Sequence, residues 1–226
     1  MLTAGFDPAL AGAPAQLVRS DGVEIDLAVH RWWGRATGED RWLLDRCSGS
    51  AIDLGCGPGR LLEALAARGV PALGVDVSAV AQRACRCRRV TMVRGDLFAP
   101  LPCEGRWAHA LLADGNIGIG GDPQQLLRRA AELVRPGGTV LVETDDNPDA
   151  LWHDTVQVRT GAGRGAPMPW ARAGAATLAR LAATVGLRRT ADHTGRRSFV
   201  ELTVDARVPS AAQTGSAPTG SGAASA

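Results

Sequence analysis

The sequence contains no lysine and no tyrosine, so all 25 of its Lys+Arg residues are arginine. Neither a lysine Schiff base nor a tyrosine general acid is therefore open to it. Histidine is scarce too, at His30, His109, His153 and His193 only. An excess of one charge sign is also missing: the formal net charge of +2 points to neither nucleic acid nor a membrane surface. No apolar run reaches bilayer-spanning length and the start has no cationic-then-apolar leader pattern, so a soluble cytoplasmic protein is expected. The five cysteines, Cys47, Cys56, Cys85, Cys87 and Cys103, are scattered. Cys85 and Cys87 stand two apart in a helical segment, where they point in different directions, so free thiols and no metal are expected.

What is present is glycine, and its densest use is the stretch Ala51-Ile52-Asp53-Leu54-Gly55-Cys56-Gly57-Pro58-Gly59-Arg60. It reads as a buried strand, a glycine turn and the first turn of a helix continuing through Leu61, Leu62, Leu65 and Ala66. Without a Cβ each glycine lets the backbone bend and lets a ligand lie against bare peptide. Pro58 at the helix start needs no N–H partner, and the free N–H groups of that turn attract an anion.

In chain order, residues 1 to about 16 are Ala-, Gly- and Pro-rich and are expected to be loosely ordered. Val23, Ile25, Leu27 and Val29 alternate as a short strand, and Thr37 caps a helix through Trp42, Leu43 and Leu44. After the glycine turn come strands at Ala72–Asp76, Val90–Val93, Ala108–Ala113 and Thr139–Glu143. Helices lie between them, one capped by Ser78 and one opened by Asp122-Pro123. A polar, glycine-rich stretch from Asp145 to about Pro169 precedes a helix at Ala171–Val185 and a hairpin of Leu187–His193 and Arg197–Val204. The order predicts an α/β fold, a doubly wound, mostly parallel sheet with right-handed crossovers and an antiparallel last strand. The expected units are an N-terminal extension and cap helix (1–50), a cofactor-binding domain (51–205) and a disordered low-complexity tail (206–226).

In such sheets ligands bind at the carboxyl ends of the strands, where Asp53, Asp76, Asp96 and Asp114 should converge. A nicotinamide dinucleotide site would also use glycines and an acid about 20 residues on, but its third glycine falls where Arg60 stands. The Gly-x-Gly-x-Gly spacing, the acid inside the first strand, Gly95-Asp96, Arg135-Pro136-Gly137-Gly138 and the closing hairpin together resemble the class I, Rossmann-like S-adenosylmethionine-dependent methyltransferases. The resemblance covers roughly Ala51 to Val204 and implies a seven-stranded sheet. It implies that Gly55, Cys56 and Gly57 cradle the methionine end of the cofactor and that Asp53 orients its amino group. It further implies that Asp76 takes the ribose hydroxyls, Val77 packs on the adenine, Asp96 and the Leu97 N–H read the ring, and Asp114 sits near the ammonium and the methyl group.

The acceptor is less legible. Where amino-directed adenine and glutamine methyltransferases carry an Asn/Asp-Pro-Pro-aromatic motif, this chain has Asp114-Gly115-Asn116-Ile117. With no metal cluster or basic surface, a small-molecule acceptor is expected, with no nucleic-acid or membrane partner and the oligomeric state open. His30 and then His153 are the candidate bases, and Trp32, Trp33, Trp152 and Trp170 are candidate pocket walls. A nicotinamide-dependent oxidoreductase and a non-catalytic methyltransferase-like binding module stay as alternatives.

Overall fold

The computed structural model describes residues 5–205. It begins with a short helix, α1 (Asp7–Leu10), followed by strands β1 (Ala15–Val18) and β2 (Glu24–Asp26) and helix α2 (Val29–Trp33). A 3-10 turn at Gly38–Asp40 leads into α3 (Arg41–Arg46). Then β3 (Ala51–Leu54), α4 (Arg60–Ala67), β4 (Ala72–Asp76), α5 (Ala79–Cys87), β5 (Met92–Arg94) and β6 (Trp107–Leu112) alternate. A 3-10 turn at Asn116–Gly118, α6 (Pro123–Leu133) and β7 (Val134–Thr144) follow. The chain closes through β8 (Leu151–Thr160), β9 (Gly163–Arg164), β10 (Met168–Ala173), α7 (Ala175–Ala183), β11 (Leu187–His193) and β12 (Ser198–Val204).

Seven strands form the main sheet in the order β11-β12-β7-β6-β3-β4-β5, with β12 antiparallel to β7. Strands β3, β4 and β6 are apolar on both faces because helices cover both, as parallel strands require. The two-residue period of β3 sends Ile52 and Leu54 to the side of Leu126, Leu127 and Leu178 on α6 and α7. Ala51 goes to the opposite side, against Leu43, Leu61 and Leu65 on α3 and α4. Caps fix several helix starts: Ser78 Oγ accepts from the N–H groups of Val80 and Ala81, and Asp122 Oδ1 from Gln125 N at 3.0 Å. After β5 the chain returns to the other side of β3 to form β6, so the loops after β3 and β6 lie side by side at the switch point.

A second, smaller sheet has the order β10-β8-β1-β2, with β9 on β8. Two expectations are corrected by it. Residues 5–16 are not loose, since α1 buries Ala9 and Leu10 and β1 starts with the buried Ala15. The stretch from Asp145 to Pro169 is largely strand, because β1 and β10 both pair with β8 and occupy its backbone groups. Cross-strand partners Leu17–Ile25, Leu17–Val158 and Val156–Met168 build its apolar face with Phe6, Trp32 and Trp170. The strand read over Val23–Val29 is confined to Glu24–Asp26, since Val29 is buried as the first residue of α2. The helix read from Ala171 starts at Ala175, β10 having claimed the residues before it. The expected disordered tail, 206–226, lies outside the described residues.

Candidate functional site

A cavity of about 340 Å³ opens between the carboxyl ends of the main sheet and the apolar face of the small one. On the main-sheet side it is lined by Asp53, the backbone of Gly55 to Pro58, Asp76, Val77, Asp96 and Leu97, with Asp114 and Asn116 at the switch point. Every residue expected from the sequence to hold the cofactor lines it. On the other side stand Leu17, Ile25, Trp32, Met168, Trp170 and Arg172, and α1 contributes Phe6, Asp7 and Leu10.

The glycine turn takes left-handed backbone, with φ of +78° at Gly55, +50° at Gly57 and +84° at Gly59. Helix α4 starts at Arg60 with Gly59 as its cap, so Pro58 lies in the turn before the helix and not at its first position. The bare face of Gly55 is taken up by the protein itself: a Cβ there would meet Asn116 Nδ2 at 2.7 Å and Ile119 Cδ1 at 2.8 Å. Asn116 spends both amide hydrogens on the loop, donating to Leu54 O at 2.9 Å and Gly55 O at 2.8 Å. Its orientation is thereby fixed, and its Oδ1 keeps its acceptor capacity.

The four strand-end carboxylates are bound in four different ways. Asp53 is 3% exposed and takes no hydrogen bond from the described residues. Burial, then the negative charge of Asp114, push its carboxyl up to about 7 against the pull of Arg60, with Asp76 adding a little. Asp76 accepts from Gly57 N at 3.0 Å through Oδ2 and from Ser78 N at 2.9 Å through Oδ1. Burial raises its carboxyl even so, the two N–H groups opposing. Asp96 Oδ1 caps its own turn, accepting from Phe98 N at 2.9 Å.

Asp114 sits at φ +55°, and its backbone N–H donates to Glu143. Its carboxylate accepts from Arg31 Nε at 3.0 Å, Arg60 NH2 at 2.7 Å and Arg197 NH2 at 3.1 Å. Arg60 and Arg197 also hold Asp40, which is 0% exposed, and Arg197 forks onto Glu143 at 2.7 and 2.5 Å. Burial alone would raise Asp40, but the Arg60 hydrogen bond and charge, with Thr37 N–H and Arg197, hold it below the usual carboxylate range. Burial alone would lower Arg197, but Glu143 foremost, then Asp114 and Asp40, hold it above the ordinary arginine value. Three guanidiniums thus face three carboxylates in a neutral cluster that ties α2, α3, α4, β7 and the final hairpin to the loop bearing Asp114.

Sequence reasoning missed this cluster. Glu143 stands one residue before the end of β7, near the strand end as Asp76 is at the end of β4, a position that should have flagged it. Arg197 carries no such mark in the sequence. The candidate bases are corrected too. His30 and His153 are exposed and neither lines the cavity, His153 because it lies on the outward face of β8 beside Ala171. The other two are engaged elsewhere: His109 Nδ1 meets Thr139 Oγ1 at 2.9 Å, and His193 stacks on Trp42 and Phe199. Trp32 and Trp170 are walls, whereas Trp33 and Trp152 are not.

A cationic group fits this donor set, because a buried, unpartnered carboxyl faces the cavity beside a second carboxyl fixed by two N–H groups. Residues 51–138 match the family profile described as "Methyltransferase domain". The trans-aconitate 2-methyltransferase of Paracidovorax citrulli is 32% identical over 110 residues, 47% of this chain and 42% of that protein. A ubiquinone biosynthesis O-methyltransferase of Pseudomonas putida is 26% identical over 162 residues, 58% of this chain and 66% of that protein. The chain thus spans less than two thirds of these curated relatives. Among solved structures, a methyltransferase from Bacteroides fragilis in complex with S-adenosylhomocysteine superposes with a TM-score of 0.74 at 20% identity, covering 91% of this chain and 98% of that one. The CcbJ methyltransferase of Streptomyces caelestis gives 0.58 at 18% identity, covering 74% and 88%. Residues 51–138 thus match a methyltransferase domain, and the fold that carries them is that of the Rossmann-like S-adenosylmethionine-dependent methyltransferases.

Proposed function

We propose that this chain transfers the sulfonium methyl group of S-adenosylmethionine, in line, to a nucleophilic atom of a small molecule. The observation that carries the reading is Asp53, a buried carboxyl with no partner, in one cavity with an apolar face on a separate sheet. When bound, S-adenosylmethionine supplies a methyl group already activated by its positive sulfur. The protein is left to bind, orient and exclude water.

Asp53 answers the cofactor's ammonium, and Gly55, Cys56 and Gly57 give the backbone against which the methionine end lies. Asp76, its oxygens fixed by Gly57 and Ser78 N–H groups, keeps lone pairs for two ribose hydroxyls. Val77, Asp96 and the Leu97 N–H bound the adenine. Asp114 acts through position: its carboxylate is committed to three arginines, so it holds the Asp114–Asn116 loop between cofactor and acceptor. No histidine lines the cavity among the described residues, so an acceptor that is a good nucleophile without a histidine base suits the site.

The named relatives act on trans-aconitate and in ubiquinone biosynthesis, which supports a small acceptor. Five free thiols support a reducing compartment, the cytoplasm, and no helix among the described residues is long and apolar enough to cross a membrane. Calorimetric titration with S-adenosylhomocysteine tests the assignment, with Asp76→Ala and NADH as controls. Binding by the parent, loss in the variant and no response to NADH are expected; NADH binding without S-adenosylhomocysteine binding would overturn it.

A further inference from the structure

The two halves of the cavity differ in charge as well as in polarity. Asp7, Asp53, Asp76, Asp96 and Asp114 line it, against Arg60 and Arg172. Arg60 is out of a ligand's reach, since it is 2% exposed, its two terminal nitrogens are bound to Asp40 and Asp114, and its Nε, though without a partner, is buried. Arg172 differs. Its side chain is 41% exposed and its one contact, to Asp145 Oδ2, is 3.5 Å long. Asp145 is itself engaged, accepting from Asn147 N at 3.1 Å. Among the described residues Arg172 is the one cavity-lining cation with exposed N–H donors to spare.

Its place follows from topology. Met168, Trp170 and Arg172 share a face of β10 by the strand's two-residue period, so the guanidinium continues the wall made by the other two. Asp145 follows β7, and Asp96 follows β5 at the far edge of the sheet, with β6, β3 and β4 between. Arg172 therefore stands across the cleft from Asp76 and Asp96.

We propose that the methyl acceptor is an apolar molecule carrying an anionic group, and that Arg172 binds that group and so selects the substrate. The inference rests on the methyl-transfer reading of the cavity. The apolar body lies along Trp32, Trp170 and Met168, and the anion anchors the end away from the methyl group. A guanidinium with exposed donors to spare at the rim of an apolar wall recognises a carboxylate by a forked pair of hydrogen bonds.

The test uses protein saturated with S-adenosylhomocysteine and matched probes: benzoate with benzamide, cinnamate with cinnamamide, 2-naphthoate with 2-naphthamide and octanoate with octanamide. Calorimetry and ligand-observed NMR read the affinities. The acids are expected to bind about tenfold or more tightly than their amides, as a charge-assisted hydrogen bond implies. Arg172→Gln should erase that preference, and Arg172→Lys should keep part of it. Each variant's own S-adenosylhomocysteine affinity reports whether its fold and cofactor half are intact. Amides binding as well as acids, an acid preference surviving in Arg172→Gln, or a panel in which no acid binds would overturn the assignment of Arg172. Failure of S-adenosylhomocysteine to bind the parent protein would instead bring down the methyl-transfer reading, and this proposal with it.

Discussion

Replacing Asp53 by Asn should stabilise the free protein while weakening its hold on the cofactor. The carboxyl stands at about 7 in the folded chain against an ordinary 3.8, chiefly through burial. The fold therefore holds a proton that the unfolded chain releases, and stability falls as pH rises from the ordinary value through about 7. Above that window the whole ionisation penalty is present, on the order of 4 kcal/mol at 1.36 kcal/mol per unit. An isosteric amide removes it. Urea unfolding of the ligand-free proteins at pH 5.5 and pH 8 should show the variant ahead at both, with the gap about 2 kcal/mol wider at pH 8.

Cofactor binding should move the other way. If the ammonium needs ionised Asp53, the parent should bind S-adenosylhomocysteine about tenfold more weakly at pH 6 than at pH 8. The Asn variant should bind more weakly at both and lose the dependence, the missing charged partner being worth about 1.5–3 kcal/mol. A variant less stable than the parent at pH 8, or a gap that does not widen with pH, would refute the claim that the carboxyl is unpartnered.

Other consequences are quicker to check. Arg197→Met leaves Asp40, Glu143 and Asp114 short of a cation and should lower unfolding free energy by about 3–5 kcal/mol, read by urea denaturation. Gly55→Ala would push a Cβ against Asn116 and Ile119 at a left-handed φ, so loss of S-adenosylhomocysteine binding in calorimetry and a lower Tm are expected. In the native protein iodoacetamide should modify Cys87 and Cys103 by mass spectrometry and spare the buried Cys47, Cys56 and Cys85. Cys47 is further protected because burial, then the charge of Asp53, push its thiol up to about 12.

The main sheet was legible because its strands are short apolar runs punctuated by glycine and caps, and those signals are local. Ser78 and Asp122 cap the helices the sequence assigned to them, and Gly69 ends α4 with φ +72°. The small sheet was hidden for the opposite reason. Its four main strands are two local pairs, Ala15–Asp26 and Leu151–Ala173, and the pairing that makes one sheet of them, β1 on β8 with Ala15 opposite Thr160, joins residues far apart along the chain. The alternation Val156, Val158 against Gln157, Arg159 was there to be read, but the glycines and prolines on either side outweighed it. The buried ion cluster was beyond reach altogether, since the pairing of Asp40 with Arg60 and Arg197 depends on three-dimensional proximity alone.

That cluster changes what a strand-end carboxylate means. Read from the sequence, Asp53, Asp76, Asp96 and Asp114 converge on one crevice, and each is given a part of the ligand to serve. In the fold Asp114 has three arginines, Asp76 two backbone N–H groups and Asp96 one, while Asp53 has none. A carboxylate whose charge is answered by guanidiniums gains little from another cation, whereas an unanswered one gains the most, because binding relieves its burial. The site therefore concentrates its affinity for a positive group at Asp53 and assigns Asp114 the fixing of the loop that carries Asn116. It follows that Asp114→Asn should disturb loop geometry and stability more than ligand charge recognition, and Asp53→Asn the reverse.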